Sequence, residues 1–202
     1  MTTPQLILAS SSKTRRLLLE NAGLSFDVQK PLVDEDELKA ALIDEGLTPR
    51  DCADQLAEAK GRSVSMMLPD AIVLASDQTL DFKGTLLSKA EDMAAVKTCL
   101  IALSGESHKL HTAAVFFQGG GPIWRFVDTA TLTMRALTEH DIDQYLNGVG
   151  EAALWSVGGY QLEGLGIQLF DDLKGDYFTV LGLPLVPVLR QLRILGFDRL
   201  QG

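Results

Sequence analysis

The chain has 202 residues, 46% hydrophobic and 22% charged, which is enough for one domain burying about 70% of the surface its unfolded form exposes. Eighteen Lys and Arg stand against 27 Asp and Glu, a net charge of −9; that balance gives no general attraction to nucleic acid or anionic lipid, so phosphate binding would need a local cationic site. No apolar run approaches the roughly 18 to 20 residues that span a bilayer, the N-terminus lacks a secretory pattern, and Cys52 and Cys99 have no metal spacing; the reading is a cytoplasmic protein without membrane or nucleic-acid partners.

In chain order, Gln5 to Ala9 is a short apolar run of buried-strand length, followed by Ser10-Ser11-Ser12 and a helix from Lys13 to Ala22, closed by Gly23. Phe26 to Gln29 alternates as a second strand, and Asp34-Glu-Asp-Glu37 runs into a short helix ending near Glu45. Thr48-Pro49 is a strong helix start, and Cys52, Leu56, Ala57, Lys60, Val64 and Met67 share one helical face. Ala71 to Ala75 is a fully apolar strand that should end at Ser76-Asp77-Gln78. Ser88-x-x-Glu91 has the form of a capping box opening a helix to about Leu103. His108 to Phe117 and Ile123 to Met134 form a hairpin around Gly119 to Pro122. Thr138-x-x-Asp141 caps a helix to about Tyr145, a Gly-rich region spans 148–166, Ile167 to Phe170 is a strand, and a closing helix runs from near Pro184 to Leu195. Strands and helices alternate around one long hairpin, so the fold class is α/β with a mixed sheet, as a single domain over 1–202.

Standard phosphate loops are absent, but the first strand–loop–helix unit offers an alternative. Three serines precede a helix whose first turn carries Lys13, Arg15 and Arg16. Hydroxyls, backbone N–H groups and the helix dipole there suit an anion, and a solvated basic face with a serine cap is the competing reading. Asp77 directly follows five apolar residues, where ligands bind in open α/β sheets. A carboxylate there can orient water or, with Asp34 and Glu35, hold Mg²⁺ or Mn²⁺; a turn or cap residue is the alternative. Lys60 and Lys89 are either site cations or lysines that snorkel to solvent. His108, His111 and His140 show no ligand spacing and read as surface positions.

Leu8-Ala-Ser-Ser-Ser-Lys-Thr-Arg-Arg16, Val33-Asp-Glu35, Leu56-Ala-Glu-Ala-Lys60, Ala75-Ser-Asp-Gln78, Leu103-Ser-Gly105 and Val180-Leu-Gly-Leu-Pro184 occur in an order and spacing that resemble the Maf (septum-formation-inhibitor-like) nucleotide pyrophosphatases over essentially the whole chain. Ser76-Asp77-Gln78 and the segment from Glu163 to Phe170 look like the subgroup acting on 7-methyl-GTP. The sequence departs from the family pattern at Lys13 (usually proline), Thr14, Ala90 (usually proline) and Thr179 (usually asparagine).

The resemblance implies a central mixed sheet flanked by helices around a deep nucleotide-binding cleft, similar to inosine triphosphatases, in an often dimeric protein. It implies a divalent-metal-dependent enzyme that splits a nucleoside triphosphate into monophosphate and pyrophosphate. Asp77 would be the catalytic base or water orienter, with Glu35 and Asp77 at the metal. Ser10, Arg15, Arg16, Lys60 and Lys89 would bind the triphosphate, and Thr14, Gln78 and Glu163 would set base choice. A dTTP/UTP-type pyrophosphatase and a non-catalytic nucleotide-binding regulator of cell division are the alternatives.

Overall fold

In the computed structural model, which describes residues 4–197, one mixed sheet carries every strand. The first half runs β1 (Leu6–Ala9), α1 (Lys13–Asn21), β2 (Asp27–Val28), α2 (Glu35–Asp44), α3 (Pro49–Met67), β3 (Ile72–Phe82), β4 (Thr85–Leu87) and α4 (Met93–Leu103). The second half runs β5 (Ser107–Gln118), β6 (Gly121–Met134), α5 (Glu139–Val149), two 3₁₀ turns (Gly150–Trp155 and Leu165–Leu169), β7 (Phe170–Lys174), α6 (Tyr177–Val180) and α7 (Leu185–Ile194). The sheet order is β2-β1-β3-β5-β6-β7, with β4 paired to β3. β1 is parallel to β2 and β3, while β3, β5, β6 and β7 pair antiparallel.

The side-chain period of two divides the core between the faces. On one face Leu6, Leu8, Ile72, Leu74 and Phe116 pack with Leu18, Leu19, Val188 and Leu192 of α1 and α7. On the other, Ile7, Ala9, Val73, Ala75, Val115 and Phe117 meet Ala53, Ala57 and Val64 of α3. Beyond them Leu80, Leu110 and Leu132 pack with Val96 and Leu100 of α4 and with Ile142 of α5.

Five sequence expectations change. β3 does not stop at Ala75; antiparallel pairing with β5 carries it through Asp77, opposite Ala113, to Asp81, opposite Lys109. The α4 cap is Asp92, whose carboxylate accepts the Ala95 N–H at 2.7 Å, so Ser88 and Glu91 form no capping box. Residues Leu165–Leu169 are a 3₁₀ turn instead of a strand, because Gly166 lies against the Gln161 backbone in too tight a coil for extended chain. His108 and His111 are buried, because the sheet and the segment packed on it cover them: Tyr160 bonds His108 Nε2, while Thr129 across the hairpin and Asp81 on β3 flank His111. Met67, expected on the buried face of α3, is exposed at the helix end, whereas Cys52 is buried and Cys99 half-buried, both on helices.

Candidate active site

β1 ends opposite Ala75. Asp77 therefore lies two residues past the last β1 pairing, on a strand still held from its other side by β5. The carboxyl edge of β1 opens a gap there, and the polar loop Ser10–Ser12 and the first turn of α1 enter it. Ser12 caps α1, its hydroxyl accepting the Arg15 N–H at 3.3 Å.

α3 closes one side. A Cβ on Gly61 would stand 2.4 Å from the Phe117 ring, so only glycine lets the helix come this near the sheet. The adjacent Lys60 is buried and extends to the sheet, where its Nζ lies 2.5 Å from Asp77 Oδ1 and 2.7 Å from Glu35 Oε2. Glu35 is the first residue of α2, behind the cap Asp34, whose carboxylate accepts the Glu37 N–H. Burial raises the Glu35 carboxyl, but the hydrogen bond and charge of Lys60, with the charges of Lys89 and Arg15, outweigh it and hold the group below the ordinary value. Glu35 is thereby kept ionised.

Arg15 supplies a second buried cation. Its Nε donates to the Gly182 carbonyl at 2.6 Å, and one terminal nitrogen donates to Ser10 Oγ at 3.4 Å. The same carbonyl accepts Ser76 Oγ at 3.0 Å. Burial lowers the guanidinium's pKa, and the charges of Asp77 and Glu35 act against that. Ser10 Oγ also accepts the Ser12 N–H at 3.1 Å. Having accepted twice, the hydroxyl keeps its own hydrogen to donate.

The remaining sequence-assigned residues divide. Lys89 is exposed but near enough for its charge to act on Glu35. Thr14 donates to Glu163 at 3.4 Å, joining α1 to the Gly-rich segment. Gln78 follows Asp77 on a strand, so it faces the opposite side of the sheet. There its amide nitrogen approaches Thr112 Oγ1, the Thr179 carbonyl and the Val180 carbonyl at 2.9, 2.9 and 3.1 Å. Arg16 is exposed and pairs with Glu20 at 2.7 Å, turned away from the cluster. Sequence reasoning missed the part of Ser76, Thr112 and Gly182, which hang the α6 segment on the sheet through its carbonyls. The alternation of Ser76 with Gln78 was the available signal.

Glu35 and Asp77 converge on one ammonium, which shows that a cation is accepted between them. Among the described residues no group of three or more His, Cys, Asp or Glu could hold a metal ion. The donor set fits Mg²⁺, which is commonly held by one or two carboxylates and completes its shell with substrate phosphates and water.

The profile of the Maf-like protein family matches residues 5–195. A nucleoside triphosphate pyrophosphatase of Caulobacter vibrioides is 48% identical over 97% of this chain and 98% of its own length. The 7-methyl-GTP pyrophosphatase of Rhizobium etli is 48% identical over 96% of this chain and 98% of its own. The nucleoside triphosphate pyrophosphatase 1 of a Jannaschia species is 46% identical over 95% and 97%.

Proposed function

Because the chain belongs to the Maf family, we propose that it is a nucleoside triphosphate pyrophosphatase that hydrolyses 7-methyl-GTP to the monophosphate and pyrophosphate. The convergence of Lys60 on Asp77 and Glu35, with Arg15 alongside, is the observation that carries this reading. It sets two buried cations against two carboxylates, a locally neutral cluster in a chain of net charge −9, so cationic donors for phosphates and carboxylates for water and metal stand side by side.

Hydrolysis between the α and β phosphates needs charge neutralisation, an aligned water and a proton acceptor, with no covalent nucleophile. Lys60 has three donors; two meet Asp77 and Glu35, and the third is directed to a phosphate oxygen. Arg15 is held at Nε by Gly182 and gives one terminal hydrogen to Ser10, so its remaining terminal N–H groups are left to the phosphates. Ser10 donates its hydroxyl hydrogen to the same chain of oxygens. Asp77 binds Lys60 through Oδ1 and takes the proton of the attacking water through Oδ2. Glu35 and Asp77 would hold a divalent cation, which would supply further charge neutralisation.

Glu163 is exposed beside Thr14 at the mouth of this arrangement. Its carboxylate suits the N–H donors of a guanine edge, and suits better still a base made cationic by methylation at N7. A homodimer in the cytoplasm completes the proposal, supported only by the family resemblance and by the lack, among the described residues, of a helix long and apolar enough to cross a membrane. The test is pyrophosphate release by purified protein over normal and modified triphosphates with Mg²⁺ or Mn²⁺. Highest kcat/KM on 7-methyl-GTP supports the reading, preference for dTTP or UTP moves the enzyme to the other subgroup, and binding without turnover overturns the activity.

A further inference from the structure

Three consecutive residues of α1 connect the phosphate site to the Gly-rich segment. Arg15 reaches Ser10 and Gly182, Thr14 reaches Glu163, and Lys13 places its Nζ over the Trp155 ring, 5.0 Å from the centroid. Trp155 and Glu163 are therefore both reached from the first turn of α1, the same turn that carries Arg15 into the phosphate cluster. Trp155 is 62% exposed, a large indole left in contact with solvent. The other tryptophan, Trp124, packs on Phe116 and Phe126.

An exposed indole face and a carboxylate on one rim are what a flat, positively charged ring with N–H donors would seek. The position of Lys13 shows that a cation is accommodated over this ring. We infer that Trp155 is the stacking surface for the base, and that N7-methylguanine takes the place of the Lys13 ammonium over the indole while Glu163 meets its N–H edge. This rests on the reading that 7-methyl-GTP is the substrate. Lys13 is then a competitor for the indole face: it repels a cationic base until it swings away, and it disfavours an uncharged base far less. Trp155 and Lys13 therefore act on selectivity in opposite senses, which a merely structural role for either would not produce.

The experiment measures kcat/KM for 7-methyl-GTP and GTP in wild type, Trp155→Leu, Trp155→Phe and Lys13→Ala. Trp155→Leu should lower the 7-methyl-GTP to GTP ratio by roughly three- to thirtyfold, the scale of a cation–π contact. Trp155→Phe should keep part of the ratio, and Lys13→Ala should raise it. In a parallel titration, 7-methyl-GMP should quench tryptophan emission in wild type more strongly than GMP does, and the extra quench should vanish in Trp155→Phe. An unchanged ratio in Trp155→Leu, or an extra quench by 7-methyl-GMP that persists undiminished in Trp155→Phe, overturns the inference even if 7-methyl-GTP remains the preferred substrate. If wild type releases no pyrophosphate from any triphosphate, the activity reading fails, and the quench alone decides whether Trp155 binds the methylated base.

Discussion

Lys60 Nζ lies 2.5 Å from Asp77 Oδ1, with only 6% and 10% of the two side chains exposed. A helix and a strand are thus joined by a nearly dry ion pair, which Glu35 extends toward solvent at 2.7 Å. Removing one member of such a pair strands the other. Lys60→Met leaves Asp77 without its contact partner and should cost about 3 kcal/mol or more, whereas in Asp77→Asn the ammonium keeps Glu35 and the loss should be smaller. Urea unfolding at neutral pH measures both; equal tolerance of the two changes would show that the pair is not buried in solution.

The approach of α3 to the sheet is a condition for that pair. Gly61→Ala places a methyl group on the Phe117 ring, so the helix must move out or the ring must turn. The expected result is destabilisation of about 1 to 3 kcal/mol, the range for overpacking, with lowered turnover because Lys60 moves with its helix. A variant with wild-type melting temperature and wild-type kinetics would contradict the close-packing account.

Gln78 is an anchor for α6 as well as a residue assigned to base choice. Its amide nitrogen serves the Thr179 and Val180 carbonyls, and Gln78→Met would leave the second without this donor. Stability should fall by about 1 to 3 kcal/mol, and kcat/KM should fall for purine and pyrimidine triphosphates alike. A pure change of base preference at unchanged stability would instead make Gln78 a reader of the base.

Acid should destabilise the fold through His108. Burial lowers this imidazole to about 4 from an ordinary value near 6.5. Above about pH 6.5 both folded and unfolded forms carry it neutral, and its stabilising contribution is complete. As pH falls toward 4 the unfolded form binds a proton that the folded form refuses, so stability drops by up to about 3 kcal/mol. Urea midpoints between pH 7 and 4 should slope less in His108→Gln than in wild type. Parallel slopes would mean that the folded form opens to let this ring protonate.

Excess chelator should abolish pyrophosphate release, and Mg²⁺ or Mn²⁺ should restore it, because Glu35 and Asp77 without a divalent ion repel the triphosphate they must approach. Turnover that survives exhaustive chelation would leave Glu35 only its contact with Lys60.

Much of this architecture is legible in the sequence because local chemistry and tertiary packing agree. Thr48-Pro49 starts α3, Thr138 and Asp141 form a capping box for α5, and the apolar run before Asp77 is a buried strand. Ser76-Asp77-Gln78 misleads as a strand end because three polar residues resemble a turn; their partners come from β5 and α6, distant in sequence. That longer strand also separates Asp77 from Gln78 across the sheet, which no motif reveals. Arg16 reads like Arg15 but lies on another face of the helix, where it meets Glu20.

We attribute cleavage between the α and β phosphates to the Lys60–Asp77–Glu35 cluster. Product analysis after incubating 7-methyl-GTP and Mg²⁺ with wild type and with folded Asp77→Asn tests it most directly. The expected products are 7-methyl-GMP and pyrophosphate from wild type, with turnover lower by about 10²-fold or more in the variant, the scale for a positioned acid–base group. Release of orthophosphate with the diphosphate, or equal turnover by the two proteins, would contradict it.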